Sequence, residues 1–193
     1  MIKVKDIIIS DDIIYIGADD KDIELFENQY NVPNGVAYNS YIIIDKKIVI
    51  MDTIDKRRTN QWLENLDKAL NGRKPDYLVI SHLEPDHAYN INTLLEKYPD
   101  IKLVGNSKTF TFLPQFFDIQ NLDSKKIEVK EGEILDLGNH KLKFIMAPMV
   151  HWPEVMMTYE EKEKTKNNYY NCINCDCNYD KFVSNIFSNS RSP

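Results

Sequence analysis

The sequence predicts an α/β protein in which sheets are covered by helices. Short β-branched runs open the chain, segments of helical periodicity alternate with short apolar runs in its middle, and apolar runs separated by turns follow. This order of strands, then mixed helices and strands, then strands again is typical of layered sheets with helices outside. We expect residues 1–159 to form this domain and residues 160–193 to form a poorly ordered tail.

The opening of the chain predicts strands and a hairpin. β-Branched residues dominate 6–10 and 13–17, and such short runs are typical of strands. Apolar runs at 37–45 and 47–52 flank the polar turn Asp45-Lys46-Lys47, so we expect these two segments to pair as a hairpin.

A first helix is expected between Thr59, a candidate N-cap, and Gly72, which ends it. Four apolar residues recur at helical spacing between them: Trp62, Leu63, Leu66 and Leu70. Two short apolar runs, 76–81 and 101–105, are expected to be buried strands.

Two further helices are expected around these strands. One covers about 88–98 and ends at Pro99, and Ser107 is a candidate N-cap for the other. The segment 127–146 then predicts a strand meander, because turn signals at 131–132 and 138–139 divide it. His140 follows the second of these turns, and we expect its side chain to be exposed.

Composition narrows the classes of function. The chain is 42% hydrophobic, which is ordinary for a globular protein, and its net charge of −6 argues against nucleic acid or an anionic membrane as the main partner. The longest apolar stretch, 144–150, is far shorter than the roughly 20 residues needed to cross a bilayer. The charged N-terminus is unlike a signal peptide, so we expect a cytoplasmic protein.

The composition changes from about residue 165. Residues 165–193 contain seven asparagines and few aliphatic residues with any period, so we expect little buried apolar surface there. The three cysteines, Cys172, Cys175 and Cys177, provide no disulfide framework for a chain of this size. They are either a short thiolate clip for a metal or incidental residues of the tail, and the second interpretation is favoured.

The densest group of ligand-type side chains follows the first buried strand, and it consists of His82, Glu84, Asp86 and His87. The end of such a strand is where α/β proteins usually bind ligands. Pro85 keeps Glu84 extended, so His82 and Glu84 can project to one side, while the next two residues begin a helix. This arrangement predicts two metals a few ångströms apart. The alternative is a solvated loop in which Asp86 caps a helix.

His151 is a further candidate ligand, because it lies among apolar residues and near two prolines that fix the backbone. We expect it to be the third ligand of the metal held by His82 and Glu84. A histidine at position 84 would favour zinc, whereas the carboxylate there shifts the preference toward non-haem iron.

The spacing His82-x-Glu84-x-Asp86-His87 resembles the signature of the flavodiiron proteins, also called A-type flavoproteins. The resemblance covers residues 1 to about 159, and its other matching segments are PNGVAYNSY at 33–41, IMDT at 50–53, EGEILDLG at 131–138 and APMVHWPE at 147–154. It implies a metallo-β-lactamase-like fold, an αββα sandwich of two stacked sheets with helices outside, which we expect to be incomplete at the C-terminus.

The resemblance also implies an activity. Flavodiiron proteins reduce dioxygen to water or nitric oxide to nitrous oxide at two non-haem irons, with electrons from FMN in a flavodoxin-like domain usually fed by rubredoxin. The implied ligands are His82, Glu84 and His151 for one iron and Asp86 and His87 for the other. Trp152 is implied to lie near the FMN of the partner subunit in a head-to-tail homodimer. The alternative is an ordinary core or surface aromatic.

Three features of the family pattern are not found after residue 154: a bridging aspartate, a further histidine ligand and the flavodoxin-like domain. Asp176 and Asp180 lie in the right region for the aspartate but lack its expected neighbours. We therefore expect an impaired second iron site, and the loss of pattern from about residue 165 predicts a truncated or frameshifted reading frame.

Three functions remain open at this point. The first is a flavodiiron-type reductase that receives its electrons in trans. The second is a metal-dependent hydrolase of the same fold, which needs no flavin but is disfavoured by Glu84. The third is an inactive fragment of the reductase.

Overall fold

The computed structural model describes residues 10–26 and 30–160, and the backbone of residues 172–173. In chain order its strands are β1 (Ile13–Tyr15), β2 (Ala18–Asp20), β3 (Leu25–Phe26), β4 (Tyr30–Asn31), β5 (Val36–Tyr38), β6 (Tyr41–Ile43), β7 (Val49–Met51), β8 (Tyr77–Val79), β9 (Lys102–Gly105), β10 (Lys126–Glu128), β11 (Ile134–Asp136), β12 (Lys141–Met146), β13 (Met156–Glu160) and β14 (Cys172–Ile173). Its helices are α1 (Thr59–Leu70), α2 (Pro85–Ala88), α3 (Ile91–Lys97), α4 (Ser107–Phe116) and α5 (Leu122–Lys125).

Most of these strands belong to two sheets. The larger sheet has the order β1-β6-β7-β8-β9-β10, and the smaller has the order β11-β12-β13-β14. Strands β7 to β10 run parallel, whereas β1 and β6 pair antiparallel with their neighbours. The carboxyl ends of β7 and β8 therefore meet at the same edge of the larger sheet, which is where such sheets bind ligands.

The larger sheet is buried on both faces. Ile50 and Leu78 on one face share an apolar cluster with Trp62 and other residues of the helices. Val79 on the opposite face shares a second cluster with Phe144 of the smaller sheet. The layers are therefore helices, larger sheet and smaller sheet, which are three of the four layers of the predicted αββα sandwich.

The predicted hairpin is confirmed, because β6 and β7 pair antiparallel. Its first strand is shorter than the predicted run 37–45, since residues 39–40 separate β5 from β6 and β5 pairs with β2 instead. At this break the Ser40 hydroxyl donates to the backbone oxygen of Asp52 at 2.8 Å and accepts from the Trp62 indole at 3.0 Å. These bonds hold the break against β7 and α1.

The helix predicted after Thr59 is confirmed as α1, which ends at Leu70, just before Gly72. The prediction that Thr59 is its N-cap is wrong, because Thr59 is already the first helical residue. A 3-10 turn at Lys56–Arg58 precedes the helix, and Asp55 caps that turn instead. The helix therefore follows directly on a 3-10 turn that the sequence pattern did not predict.

The other two predicted helices also start differently from expectation. Ser107 is the first residue of α4, and the N-cap is Asn106, whose side chain accepts two backbone hydrogen bonds. The predicted helix at 88–98 is confirmed as α3, which ends before Pro99, and the short α2 precedes it. Serine and asparagine are both good N-cap residues, so the sequence Asn106-Ser107 does not show which of the two caps the helix.

The predicted meander over 127–146 is wrong in its pairing. Gly132 and Gly138 have φ of 76° and 120°, so both predicted turns are present. However, β10 pairs parallel with β9 in the larger sheet, whereas β11 and β12 pair in the smaller sheet. The alternation within a strand does not specify which sheet the strand joins.

The prediction that His140 is exposed is also wrong, because its side chain is fully buried. Its Nδ1 lies 3.0 Å from Glu160 Oε1, and its Nε2 lies 3.1 Å from Asp12 Oδ2. Asp45 accepts hydrogen bonds from the backbone N–H groups of Asn139 and His140. Carboxylates from three separate segments of the chain thus contact this turn and hold the His140 side chain in the interior.

Several predictions concern residues outside this description. Most of the predicted strand 6–10 and the expected poorly ordered tail beyond residue 160 lie there, as do the side chains of Cys172, Cys175 and Cys177. In the part of the chain that the structure describes, no helix combines the length and the apolar character needed to span a membrane.

Candidate metal centre

The candidate site lies where the chain leaves β8 at the edge of the larger sheet. Glu84 has φ −62° and ψ 147°, the extended conformation expected before Pro85. Because α2 begins at Pro85, Asp86 and His87 lie in the first turn of a helix. His151 reaches the same place from the loop between β12 and β13 of the smaller sheet.

Three of the predicted ligands converge on one point. Glu84 Oε2 lies 3.0 Å from His82 Nε2 and 3.0 Å from His151 Nε2. Each of the three residues offers one ligand atom within 4.8 Å of the other two. His82 is buried, whereas 63% of the His151 side chain is exposed, so this group opens to solvent on the side of His151.

Asp86 and His87 form a second group beside the first. His87 Nε2 lies 3.7 Å from Asp86 Oδ2, and both side chains are almost fully buried. The centroid of the His82 ring is 5.4 Å from that of His87 and 5.1 Å from that of His151. The five predicted residues therefore occupy two adjacent positions with His82 common to both neighbourhoods.

Asp52 belongs to the site, although sequence reasoning assigned it no role. Its Oδ2 lies 2.9 Å from His87 Nδ1, and its Oδ1 accepts a hydrogen bond from Ser81 N at 2.6 Å. Its φ of 53° is in the left-handed region, which aspartate tolerates better than most residues. The sequence does contain a signal for this residue. Asp52 directly follows β7, and the carboxyl ends of neighbouring parallel strands such as β7 and β8 lie together, where ligands bind.

Glu154 is a second site residue to which sequence reasoning assigned no role. Its side chain is fully buried, and Oε1 lies 2.7 Å from His82 Nδ1. The same oxygen accepts a hydrogen bond from Leu83 N at 3.1 Å. The sequence signal for Glu154 was an acidic residue in the mainly apolar segment 147–154, because a carboxylate buried there requires polar partners.

The charges of this group are coupled. Burial by itself lowers the pKa of His82, but hydrogen bonds with Glu154 and Glu84 outweigh burial and raise the pKa to about 9. Burial raises the pKa of Glu154, but the hydrogen bonds with His82 and with backbone N–H groups hold that pKa below its ordinary value. Both ring nitrogens of His82 thus face carboxylates, and a metal that binds Nε2 competes with a proton for that nitrogen.

Apolar side chains border the site. The Trp152 and His82 rings meet edge to face with centroids 5.2 Å apart, and the Phe116 ring lies 6.4 Å from that of Trp152. Phe116, Met149 and Val150 are exposed at this rim. Trp152 and Phe116 thus form an apolar border on the His82 side of the group.

The donor atoms suit a metal of intermediate hardness. Imidazole nitrogens and carboxylate oxygens are mixed in both groups, and mixed nitrogen and oxygen donors suit iron better than a soft metal. Glu84 Oε2 is equally distant from two imidazole nitrogens, so one ion could bind all three residues. Two adjacent ions could hold a small molecule between them.

Comparison with known proteins places the chain in a family. A family model described as "ODP family beta lactamase" matches residues 36–166. Flavo-diiron protein FprA2 of Clostridium acetobutylicum is 34% identical over 157 residues, which are 81% of this chain and 39% of that protein. The anaerobic nitric oxide reductase flavorubredoxin of Vibrio vulnificus is 34% identical over 153 residues, which are 78% of this chain and 31% of that protein.

Solved structures agree with this placement. The flavodiiron protein from Giardia intestinalis matches with a TM-score of 0.76 and 26% identity over 85% of this chain and 39% of that chain. Rubredoxin oxygen:oxidoreductase from Desulfovibrio gigas matches with a TM-score of 0.71 and 30% identity over 80% of this chain and 38% of that chain. The predicted metallo-β-lactamase-like fold is thus confirmed, and this chain spans less than two fifths of the length of these four proteins. The chain belongs to the ODP family of β-lactamase-like domains and is a relative of the flavodiiron proteins.

Proposed function

We propose that the chain carries the di-iron domain of a flavodiiron-type oxidoreductase that reduces O2 to water, NO to N2O, or both. The observation that carries the proposal is the position of the Glu84 carboxylate, 3.0 Å from both His82 and His151. Two imidazoles and one carboxylate are a donor set of non-haem iron sites, and the similarity to flavodiiron proteins favours iron over zinc for this set. The names of two relatives, a nitric oxide reductase and a rubredoxin oxygen:oxidoreductase, support the same chemistry.

The proposed ligands are His82, Glu84 and His151 for one iron and Asp86 and His87 for the other. Among residues 10–26 and 30–160, the second position has two candidate ligands against three for the first. We therefore propose that the second position binds iron more weakly.

When bound, the iron pair supplies electrons and open coordination positions for a diatomic molecule. The protein prepares this chemistry through its own side chains. Glu84 and Asp86 offset the positive charge of the metals, and Asp52 holds the ring of His87 through Nδ1. Trp152 covers one edge of the His82 imidazole and keeps water from it.

We further propose that electrons come from FMN, with rubredoxin as donor. The names of the relatives, which include a diflavin flavoprotein of Nostoc and a flavorubredoxin, support this part of the proposal. Trp152 at the apolar rim is the candidate contact with the FMN of the partner subunit in a head-to-tail homodimer. A net charge of −6 disfavours nucleic acid and an anionic membrane as partners. We also propose a cytoplasmic location.

The test is to load the full chain with iron under anaerobic conditions and then add O2 or NO, with reduced FMN as the electron source. We expect one to two irons per chain, and consumption of the gas faster than by reduced FMN alone. The Glu84→His variant is expected to prefer zinc over iron. The matched control is Glu96→His, the same exchange at an exposed position of α3, which is expected to keep the iron preference.

Two results would contradict the proposal. A zinc-loaded chain that hydrolyses an ester or a lactam, with an iron-loaded chain that consumes neither gas, would establish the hydrolase instead. An iron-loaded chain that is inert in both assays would identify an inactive domain.

A further inference from the structure

Glu154 is a buried acid that the proposed function leaves without a role. Its Oε1 lies 2.7 Å from His82 Nδ1 and accepts a hydrogen bond from Leu83 N at 3.1 Å. Its Oε2 is buried and has no hydrogen-bond partner in the described part of the chain. A buried carboxylate with one unsatisfied oxygen lowers stability compared with a neutral side chain of the same size. Packing alone therefore does not account for an acid at this position.

The backbone around Glu154 is held from two sides. Asn106, at the start of α4, donates from Nδ2 to the backbone oxygen of Glu154 at 2.7 Å. Two residues later, Met156 N donates to Ser81 O at 3.1 Å, which ties β13 to the end of β8. Glu154 is thus anchored to two other elements, so its carboxylate has a defined position relative to His82.

The contact with Nδ1 decides which nitrogen of His82 faces the candidate metal. A carboxylate only accepts hydrogen bonds, so it requires the proton of His82 to be on Nδ1. The other nitrogen, Nε2, lies 3.0 Å from Glu84, and a metal that binds there replaces the Nε2 proton, so the lone pair of the neutral imidazole is directed at the metal. The bond from Leu83 N to the same oxygen also fixes the backbone beside the ligand.

We infer that Glu154 is a positioning residue: it fixes the tautomer and the ring orientation of His82 so that Nε2 binds the metal. The inference rests on the proposed metal site and adds to it a residue that acts through His82 rather than on the metal. Carboxylates behind metal-binding histidines raise their basicity and hold their orientation, and loss of such a partner typically weakens metal binding.

The first test measures the affinity of the full chain for Zn²⁺ by competition with a chelating dye. Glu154→Gln keeps the size of the side chain but removes its charge, and we expect it to weaken one Zn²⁺ site about 10- to 100-fold. Glu160→Gln is the matched control, because Glu160 is also buried and also contacts a histidine, His140, at 3.0 Å. We expect that control to change Zn²⁺ affinity by less than about twofold, since His140 is not among the proposed ligands.

The second test follows the imidazole N–H protons of the zinc-loaded, ¹⁵N-histidine-labelled chain by NMR. The chain has four histidines, so the signals can be assigned by single substitutions. In the wild type we expect the His82 Nδ1 proton to be shifted downfield and protected from exchange with water. Glu154→Gln should move this signal upfield and speed its exchange, whereas Glu160→Gln should change only the signal of His140.

The outcomes separate this inference from the proposed function. If Glu154→Gln changes neither Zn²⁺ affinity nor the His82 signal while the wild type binds metal, the positioning role is wrong and the metal site stands. A wild-type chain that binds no Zn²⁺ and no iron overturns both. If Glu154→Gln does not fold, Glu154→Asp takes its place with the same expectation, because its shorter carboxylate cannot keep both contacts.

Discussion

At the scale of a single residue, Asp20 is a carboxylate without exposed surface that lies between the guanidinium groups of Arg57 and Arg58. Burial raises its pKa, but the hydrogen bonds from both arginines outweigh burial and hold the pKa below its ordinary value. The contacts join β2 to the 3-10 turn before α1. A charge in the interior is favourable here because it is paired and hydrogen-bonded.

Asp20→Asn should lower the free energy of unfolding by about 2 kcal/mol, because it leaves two arginines without their buried counter-charge. The measurement is urea unfolding at neutral pH. Asp22→Asn is the matched control, since Asp22 also contacts Arg58 but is exposed. Its effect should be below about 0.5 kcal/mol.

The pH dependence gives the same prediction an independent check. Because the folded-state pKa of Asp20 is lowered, its stabilisation is complete above the unfolded-state pKa of about 3.9. It is lost as the pH falls through the folded-state pKa. The wild type should therefore lose stability in acid more steeply than Asp20→Asn, and parallel acid profiles would contradict this account.

Asp52→Asn should abolish metal binding at the second position and spare the first. Asparagine tolerates the φ of 53°, and its oxygen can still accept from Ser81 N. Its amide nitrogen would donate to His87 Nδ1, which transfers the His87 proton to Nε2 and blocks metal binding there. We expect elemental analysis to find one metal fewer per chain, and Asp55→Asn, which alters only the cap before α1, to retain the wild-type metal content.

At the scale of elements, the start of α4 is fixed both within the helix and outside it. Asn106 Oδ1 accepts from Lys108 N and Thr109 N, and Asn106 Nδ2 donates to the backbone oxygen of Glu154. One side chain therefore caps a helix and attaches it to the segment that carries His151. This dual use explains why asparagine, and not the neighbouring Ser107, is the cap.

Asn106→Ala should lower the free energy of unfolding by about 2 kcal/mol, because it loses both the cap and the bond to Glu154. Asn106→Ser keeps an oxygen that can cap the helix, so it should lose only about 1 kcal/mol. Thermal unfolding followed by circular dichroism measures both. Equal losses in the two variants would show that the cap contributes nothing, and an Asn106→Ser chain as stable as the wild type would show that the bond to Glu154 contributes nothing.

At the scale of the whole molecule, the candidate site depends on how the two sheets pack. His82 and Glu84 follow β8 of the larger sheet, whereas His151 lies in the loop between β12 and β13 of the smaller sheet. That loop is closed by a hydrogen bond from Ala147 N to Val155 O at 3.0 Å. Phe144 on β12 is fully buried in the cluster between the sheets.

Phe144→Ala should lower the free energy of unfolding by about 3–5 kcal/mol, because it leaves a cavity between the sheets. It should also weaken Zn²⁺ binding, since the smaller sheet positions His151. Urea unfolding and the dye competition measure the two effects. Ile134→Ala, at an exposed position of the same sheet, should change stability by less than about 1 kcal/mol. A Phe144→Ala chain with wild-type stability would contradict the two-sheet core.

The five proposed metal ligands could be singled out as candidates from sequence because four of them lie within six residues and Pro85 restricts their backbone. Asp52 and Glu154 were missed, because the histidines that give them a role are 35 and 72 residues away along the chain. His140 was misjudged for the same reason. Its neighbours in sequence form a polar turn, but the carboxylate of Asp12, 128 residues distant, lies beside its ring.

The sequence by itself determined the types of the main helices and strands, the ligand motif and the family. These are local properties, because periodicity, turn residues and motif spacing are set within a few neighbouring residues. Only the tertiary structure decided that β10 joins the larger sheet, that His151 meets Glu84, and that Glu154 lies behind His82. Those contacts depend on which distant segments pack together, and a packed interior selects them through strand pairing and the hydrogen-bonding needs of buried charges.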